Sequence, residues 1–466
     1  MSKETVIKFN SDSEELLKFL KRPEDTYHVD IVRQCYEVLS TALSLNQKER
    51  IAEIKEAIRE YSVQYFDNEP YCIPYHLFRV VKKLPKAFDN GDKDFYAGLL
   101  EQSFYRQCAA EIKGEEAYSS EVLEMAEELV KHYFLKGDGD KIRAVLKDCV
   151  DCFECSSADK PAMRAAIHLH KIVNLANAVN CKEISDMVSI LMEKNGPKIK
   201  DEMSPVSESF SIPQEYIDNI VKACSHNDDP GANYFTFGLL FVPTDSVIQR
   251  AYEVSNKNSE VARMFTQIRF GTNGNIACIT RPDESSEDAR RVQSYTLTTT
   301  LISPIMHFVV NKGIETGLYN EPDIIDYLAK SPLLTEMRLN ILQRGVNAYL
   351  ENDYISSISI FVPQIEEMIR KTYRSLGCPV TKSDADKTES DTLGHLLKKA
   401  PIIIGEHNIG RYLDLILSDN RGWNLRNLFC HGLTEAYNWK NADRLFQILL
   451  LLAGLRFVPD DGGQSS

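Results

Sequence analysis

The chain has 466 residues, of which 43% are hydrophobic and 26% charged, and its formal net charge is −14. These proportions lie near the averages for globular proteins and exclude a disordered or fibrous chain, while the length predicts two to four domains. The acidic excess excludes a protein that attracts nucleic acid through its overall charge.

The acidic excess is confined to the first part of the chain. Residues 330–466 contain 16 Lys and Arg against 16 Asp and Glu, whereas the residues before them contain 38 against 52. We therefore expect any contact with nucleic acid to be local and selective.

The N-terminal region predicts helices. From residue 13 to about residue 191 hydrophobic residues recur at helical spacing, and Gly and Pro mostly fall between the segments. One such stripe consists of Val122, Met125, Ala126, Leu129 and Val130. A regular solenoid is not supported, because no fixed repeat period is present. The pattern favours an irregular helical array over residues 1–198, which we expect to bind a protein partner.

Three cysteines in this region raise the question of a metal site. Cys149, Cys152 and Cys155 are spaced by three, and His168 and His170 follow. Thiolates and imidazoles are common zinc and iron–sulfur ligands. The same spacing is equally typical of a buried helical stripe, and no fourth thiolate follows at a standard distance. We favour the stripe and predict no metal and no cofactor.

Residues 195–213 are rich in Gly, Pro, Ser and charge and predict a linker. Residues 214–320 then predict a mixed α/β middle region. Its β-prone segments are residues 234–237 and residues 276–280, the latter preceded by the turn former Asn273-Gly274.

Residues 321–466 predict a third, helical domain. Hydrophobic residues between 355 and 373 keep nearly one helical face, and Pro363 should kink that helix. Residues 378–391 predict an exposed loop before a helix at Leu393. Two helices are expected at about 422–438 and 440–455, followed by a disordered tail over residues 460–466. The fold class is therefore mainly α with a mixed middle region.

Targeting signals also bear on the class of protein. The start of the sequence lacks the basic and apolar regions of a signal peptide, and the longest apolar run, residues 448–455, is too short to span a bilayer. The eleven cysteines suit a reducing compartment. We expect a cytoplasmic protein without a membrane contact.

Residues 424–432, Asn-Leu-Arg-Asn-Leu-Phe-Cys-His-Gly, are the most informative stretch. They combine Arg426, which can hold a phosphate through paired hydrogen bonds, with Asn427 and with His431, which can transfer protons near neutral pH. On a helix Asn427 and His431 share a face, whereas Arg426 and His431 diverge by roughly 140°. A two-fold symmetric dimer can supply the missing partner from a second chain. The spacing therefore favours a homodimer with a shared site.

This stretch resembles the HEPN superfamily, whose ribonucleases carry Arg, a polar residue, several apolar residues and His on one helix of an all-α domain. Three ordered blocks, residues 361–370, residues 392–397 and residues 424–432, are similar to one domain-of-unknown-function family within it. That family includes the endoplasmic reticulum membrane-associated RNA degradation protein. The resemblance covers roughly the last 140 residues well and the middle region weakly.

The resemblance implies a C-terminal HEPN-like helical bundle with metal-independent endoribonuclease activity on an RNA substrate. In that chemistry the RNA 2′-hydroxyl attacks its own phosphate, His431 moves protons, Arg426 stabilises the charge on the phosphoryl oxygens, and Asn427 orients His431 or holds the phosphate. Such domains often serve as toxins or in phage defence. Some of these toxins carry a modified Tyr two residues after the His, where this chain has Leu433.

The alternative is a non-catalytic HEPN-like scaffold that dimerises and binds a protein. Other residues of this region have structural interpretations too. Glu366 and Arg370 are four apart and predict a surface ion pair, and His395 and His407 are more typical of hydrogen-bonded structural residues than of catalysts. The stretch around Gly271 lacks the pattern of a phosphate-binding loop.

Overall fold

Helices dominate the computed structural model, as predicted. It describes residues 3–21, 28–67, 72–113, 120–156, 161–204, 211–225, 229–258, 264–271, 274, 276–282, 287–383 and 387–456. The chain divides into two compact units, Met1–Ser204 and Pro205–Ser466. None of the helices in these described ranges has the length and hydrophobicity needed to cross a bilayer. The predicted tail, residues 460–466, lies outside them.

The first unit is built of helices alone over its described residues. They are α1 (Lys3–Lys21), α2 (His28–Ser44), α3 (Lys48–Gln64), α4 (Cys72–Lys83), α5 (Asn90–Ile112), α6 (Ser120–Lys136), α7 (Gly139–Ser156), α8 (Ala162–Ala178) and α9 (Lys182–Glu202). Neighbours in sequence pack together: α1 against α2, α4 against α5, α6 against α7, and α8 against α9.

Local sequence explains several of these helices. Asp89 and Asp92 form a reciprocal capping box that starts α5. The predicted stripe on α6 is wholly buried in the core of this unit. The predicted linker was wrong over its first part, because α9 continues through Pro197 to Glu202. The composition of residues 195–198 therefore did not end the helix.

The second unit adds three small hairpins to its helices. The helices are α10 (Gln214–Ala223), α11 (Pro230–Leu240), α12 (Asp245–Asn258), α13 (Glu287–Glu315), α14 (Glu321–Ala329), α15 (Glu336–Leu350), α16 (Tyr354–Ser375), α17 (Leu393–Leu396), α18 (Ile409–Leu417), α19 (Leu425–Cys430) and α20 (Trp439–Ala453). The strands are β1 (Gln267–Phe270), β2 (Ile276–Thr280), β3 (Thr381–Ser383), β4 (Thr388–Ser390), β5 (Ile403–Ile404) and β6 (His407–Asn408). They pair antiparallel as β1–β2, β3–β4 and β5–β6.

Helix α20 is the centre of this unit. Every residue from 442 to 453 is buried, and α11, α13, α14 and α16 pack around the helix. A helix that is enclosed on all sides needs an apolar surface all round, and the run at residues 448–455 supplies most of it. One core contains residues from both the predicted middle region and the predicted C-terminal domain, from Ile217 to Leu455.

Two secondary-structure predictions were wrong. The β-prone residues 234–237 lie in α11, because Pro230 occupies its first turn and the Asp229 side chain accepts a hydrogen bond from the Gly231 N–H. A short apolar run does not by itself distinguish a strand from a buried helix. Residues 378–391 contain the β3–β4 hairpin instead of a plain loop. The β2 strand at residues 276–280 and the helix at Leu393 are confirmed.

Helix α16 carries one face of the core. It runs through Pro363 without interruption. Of the residues expected on its buried face, Ile358, Phe361 and Ile365 are buried, while Ile355, in the first turn, is exposed. Glu366 and Arg370 lie further along this helix, next to the candidate site.

Candidate functional site

The loop before α19 is fixed by ionic contacts. The Asp419 carboxylate accepts hydrogen bonds from the backbone N–H of Arg421 at 2.9 Å and from its Nε at 3.0 Å. The Nη1 of Arg421 donates to Asp288 at 2.5 Å, which ties the loop to α13. Burial would raise the pKa of Asp419, but the hydrogen bonds from Arg421 lower it below its usual value. The indole N–H of Trp423 donates to Thr299 at 3.0 Å.

Backbone conformation limits α19 to six residues. Asn424, immediately before it, has a φ of 54°, and Gly432, shortly after it, has a φ of 64°. Both values lie in the left-handed region, which glycine and asparagine tolerate best. The prediction of one long helix over residues 422–438 was therefore wrong. His431 follows the last helical residue and is not inside the helix.

Arg426 points toward α16 and is held there by a carboxylate. Its Nε donates to Glu366 Oε2 at 2.8 Å, and its Nη2 lies 3.5 Å from Glu366 Oε1. The Nη2 of Arg370 donates to the same Oε1 at 2.7 Å. The predicted pair of Glu366 and Arg370 is confirmed, but it is largely buried and serves Arg426 as well.

The protonation state of Glu366 follows from these contacts. Burial would raise its pKa, yet the two guanidinium groups lower it below the usual value, so the carboxylate is charged at neutral pH. The hydrogen bonds that Arg426 donates to Glu366 in turn raise the pKa of Arg426. Arg426 therefore keeps its positive charge despite being partly buried.

Asn427 completes the support of Arg426. Its Oδ1 accepts a hydrogen bond from Arg426 Nη1 at 3.1 Å, and its amide donates to Asn424 Oδ1 at 2.7 Å. A guanidinium carries five N–H donors. Three of those on Arg426 face Glu366 or Asn427, and the other two have no hydrogen-bond partner among the described residues. Arg426 itself is only partly exposed.

His431 is exposed and lies apart from these contacts. Its backbone N–H donates to the Asn427 carbonyl at 3.2 Å. Among the described residues, no hydrogen bond or ion pair of the imidazole is found. The structure thus brings Arg426 and Asn427 together, while the His431 imidazole makes no such contact with either side chain. For Arg426 this agrees with the divergence expected from the spacing. For Asn427 the expectation of a face shared with His431 was wrong, because His431 follows the last helical residue.

Sequence reasoning missed the partner of Arg426. Glu366 lies 60 positions earlier, and its contact with Arg426 depends on how α16 packs against α19. The only local signal was the spacing of Glu366 and Arg370, which predicts an ion pair but not its second cation. Asn427 was expected to orient His431 or a phosphate, whereas its side chain contacts Arg426 and Asn424.

A cleft of about 340 Å³ borders the other face of α19. Asn424 and Leu428 contribute to its wall, as does Leu433 beyond the helix. The guanidinium of Arg269 from β1 also lines it and donates to the Arg421 carbonyl at 2.6 Å. The wall of the cleft therefore contains both polar and apolar residues.

The other candidates from the sequence form no comparable site. Cys149 and Cys152 are buried, Cys155 is exposed, and Cys152 Sγ lies 3.1 Å from Glu111 Oε2. Burial raises the pKa of the Cys149 thiol well above its usual value. In the described part of the chain, no three His, Cys, Asp or Glu side chains are grouped so as to hold a metal ion.

The two histidines treated as structural are hydrogen-bonded. His395 Nδ1 lies 2.6 Å from Asp391 Oδ2, and His407 Nδ1 lies 2.7 Å from the Val242 carbonyl oxygen. His168 is buried in the first unit, and His170 is partly buried there.

Comparison of the chain with protein-family models, with curated proteins and with solved structures gives no significant match. The resemblance to the HEPN superfamily therefore stays a prediction that rests on residues 361–370, 392–397 and 424–432.

Proposed function

We propose that the protein is an endoribonuclease of the HEPN type that cleaves RNA without a metal ion, with Arg426, Asn427 and His431 as its site. The observation that supports this best is the pairing of Arg426 with Glu366 and Asn427. A positive guanidinium is held in place with two donors that no described residue engages, and an exposed imidazole lies five residues later. Phosphate binding and proton transfer are the chemistry of these two groups.

The reaction is a transesterification within the RNA. A neutral His431 removes the proton of a ribose 2′-hydroxyl, whose oxygen attacks the adjacent phosphorus. The bond from phosphorus to the 5′-oxygen of the next nucleotide breaks, and that oxygen takes the proton from the imidazolium that has formed at His431. The products are a 2′,3′-cyclic phosphate and a 5′-hydroxyl. Arg426 stabilises the negative charge that develops on the phosphoryl oxygens.

The arrangement within one chain is incomplete for this reaction. Arg426 faces α16, while His431 follows the end of α19. The His431 imidazole makes no hydrogen bond with the Arg426 side chain. A homodimer with two-fold symmetry brings the His431 imidazole of one chain to the Arg426 of the other, because such an interface repeats every contact. Asn427 then acts as a positioning residue for Arg426.

RNA cleavage in the presence of a metal chelator tests this proposal. We expect wild-type protein to cut RNA, and His431→Ala to reduce the rate by about 100- to 10,000-fold, the range typical of a lost general acid or base. Arg426→Ala should cost about 100- to 1,000-fold, as for a lost oxyanion donor. Gel analysis of labelled RNA provides the rates.

Glu435→Ala serves as the matched control, because this side chain is exposed on the segment that follows His431. Its rate should equal that of wild type. Cleavage by His431→Ala at the wild-type rate would contradict the proposal. Absence of cleavage by wild type, with a stable dimer in solution, would instead favour a non-catalytic dimerisation scaffold.

A further inference from the structure

A second group of cations surrounds one buried carboxylate beside the candidate site. Asp391 Oδ1 lies 3.1 Å from Lys382 Nζ, and its Oδ2 lies 2.8 Å from Lys399 Nζ and 2.6 Å from His395 Nδ1. Lys382 belongs to β3, His395 to α17, and Lys399 follows α17. We call these four residues the Asp391 cluster.

The carboxylate anchors the cluster to the core. The side chain of Asp391 is fully buried, and its Oδ1 also accepts the Thr392 N–H at 2.9 Å. Burial would raise the pKa of Asp391, but hydrogen bonds from Lys399, His395 and Lys382 lower it well below the usual range. One permanent negative charge thus faces two lysines and a histidine. The Lys382 side chain remains 56% exposed and can reach a ligand.

Arg370 joins the Asp391 cluster to Arg426. Its Nη2 donates to Glu366 at 2.7 Å and to the Asp391 carbonyl at 2.8 Å. Glu366 in turn holds Arg426. The cluster and the proposed catalytic guanidinium are therefore fixed to one side chain, so their relative position is set by hydrogen bonds.

The described residues of this surface have an excess of positive charge. Among them, Lys382, Lys399, Arg370 and Arg426 contribute four positive charges against two negative charges from Glu366 and Asp391, with His395 counted as neutral. Asp384 and Asp386 lie outside the described residues. Two neighbouring ion pairs cancel, Arg374 with Glu367 and Lys387 with Glu389. The chain as a whole has a net charge of −14 and does not attract RNA at long range. A local excess of two positive charges can therefore decide where a strand binds.

We propose that the Asp391 cluster binds the phosphodiester backbone of single-stranded RNA next to the phosphate at Arg426. Exposed lysines bind phosphates and release counterions without reading the bases. A single strand fits the proposed reaction, because the attacking 2′-oxygen must line up with the leaving oxygen and a rigid duplex resists that geometry. The inference rests on the proposed function and adds the surface on which the RNA strand lies.

Binding of a labelled 2′-O-methyl oligoribonucleotide, which has no attacking hydroxyl, tests the inference without cleavage. Lys382→Gln should weaken binding several-fold at low salt and reduce the slope of log affinity against log salt by about 0.7, the value for one phosphate contact on a single strand. Lys382→Arg should restore both. Fluorescence anisotropy at several salt concentrations gives affinity and slope.

Lys387→Gln is the matched control, since it removes the same charge from β3–β4 but pairs with the exposed Glu389. Equal losses in the two variants, or none in either, would overturn the inference. If the catalytic proposal fails, wild-type protein does not cleave RNA or His431→Ala cleaves it at the wild-type rate. If this inference fails, Lys382→Gln binds the oligonucleotide as tightly as wild type.

Discussion

At the scale of single residues, the chemistry of Arg426 depends on a partner far away in sequence. The motif of residues 424–432 identified Arg426, Asn427 and His431 as a set. It could not identify Glu366, because the contact forms only when α16 and α19 pack together. The motif therefore gave the candidate residues but not the carboxylate that holds Arg426.

Glu366→Gln tests that orientation. The neutral amide loses the charge of the carboxylate, so Arg426 should be held less firmly, and the cleavage rate should fall by about tenfold or more, since misplacement by about 1 Å costs up to 100-fold. Glu367→Gln is the control, because Glu367 pairs with Arg374 on the same helix. Rates and melting temperatures of both variants separate lost activity from lost folding.

The same substitution has a pH signature. The pKa of Glu366 is lower in the folded protein than the ordinary value of about 4.3. Its contribution to stability is thus present above that value and is lost as pH falls through the folded pKa. The difference in unfolding free energy between wild type and Glu366→Gln should shrink on acidification. A difference that grows toward acid would contradict the assignment.

At the scale of elements, α20 was predictable and its surroundings were not. The apolar run at residues 448–455 predicts a core helix, and α20 confirms it. The polar residues in the part of α20 before this run did not predict burial. Asp443, Arg444 and Gln447 are all buried, and Arg444 Nη2 donates to the Thr299 carbonyl and to Ser303 at 2.8 Å each. These contacts bring in α13, which is about 140 residues distant in the chain.

Close packing of α11 against α20 makes Gly238 irreplaceable. A Cβ at this position would lie 2.8 Å from the Cα of Leu451. Since backbone cannot move aside locally, Gly238→Ala should destabilise the second unit by about 1–3 kcal/mol. Gly98→Ala, in α5, meets no atom within 4 Å and should be neutral or slightly stabilising. Chemical denaturation of both variants measures the contrast, and equal stabilities would contradict it.

The ends of α19 show why helix lengths are hard to predict. Residues 422–438 contain few strong helix breakers, yet two left-handed residues, Asn424 and Gly432, confine the helix to six residues. Glycine after a helix is a common end signal. Asparagine in the left-handed region is less frequent, and its position depends on the anchored loop before it. The early end of α19 leaves His431 exposed.

At the scale of the whole molecule, the helical class was predictable from the sequence, whereas the packing between distant segments was not. Long helical periodicity is a local property and is visible in one sequence. Packing between distant segments is not, and it joins residues from Ile217 to Leu455 in one core. The predicted boundary at residue 320 falls within the second unit, Pro205–Ser466.

A shared site between two chains predicts complementation. Arg426→Ala and His431→Ala should each be inactive alone. In a mixture of subunits that exchange at random, half of the dimers are mixed and each keeps one intact site, so about a quarter of the wild-type activity should return. Cleavage assays after co-refolding measure it. If no cleavage activity returns in a sample shown to contain mixed dimers, the proposal of a site shared between two chains is contradicted.

The chemistry of the RNA ends tests the central claim most directly. Wild-type protein, in excess chelator, should convert RNA to fragments with 2′,3′-cyclic phosphate and 5′-hydroxyl ends, and should leave the same sequence with 2′-O-methyl groups intact. Mass spectrometry of the fragments identifies the ends. Fragments with 5′-phosphate ends, cleavage of the methylated strand, or undiminished cleavage by His431→Ala would contradict the account.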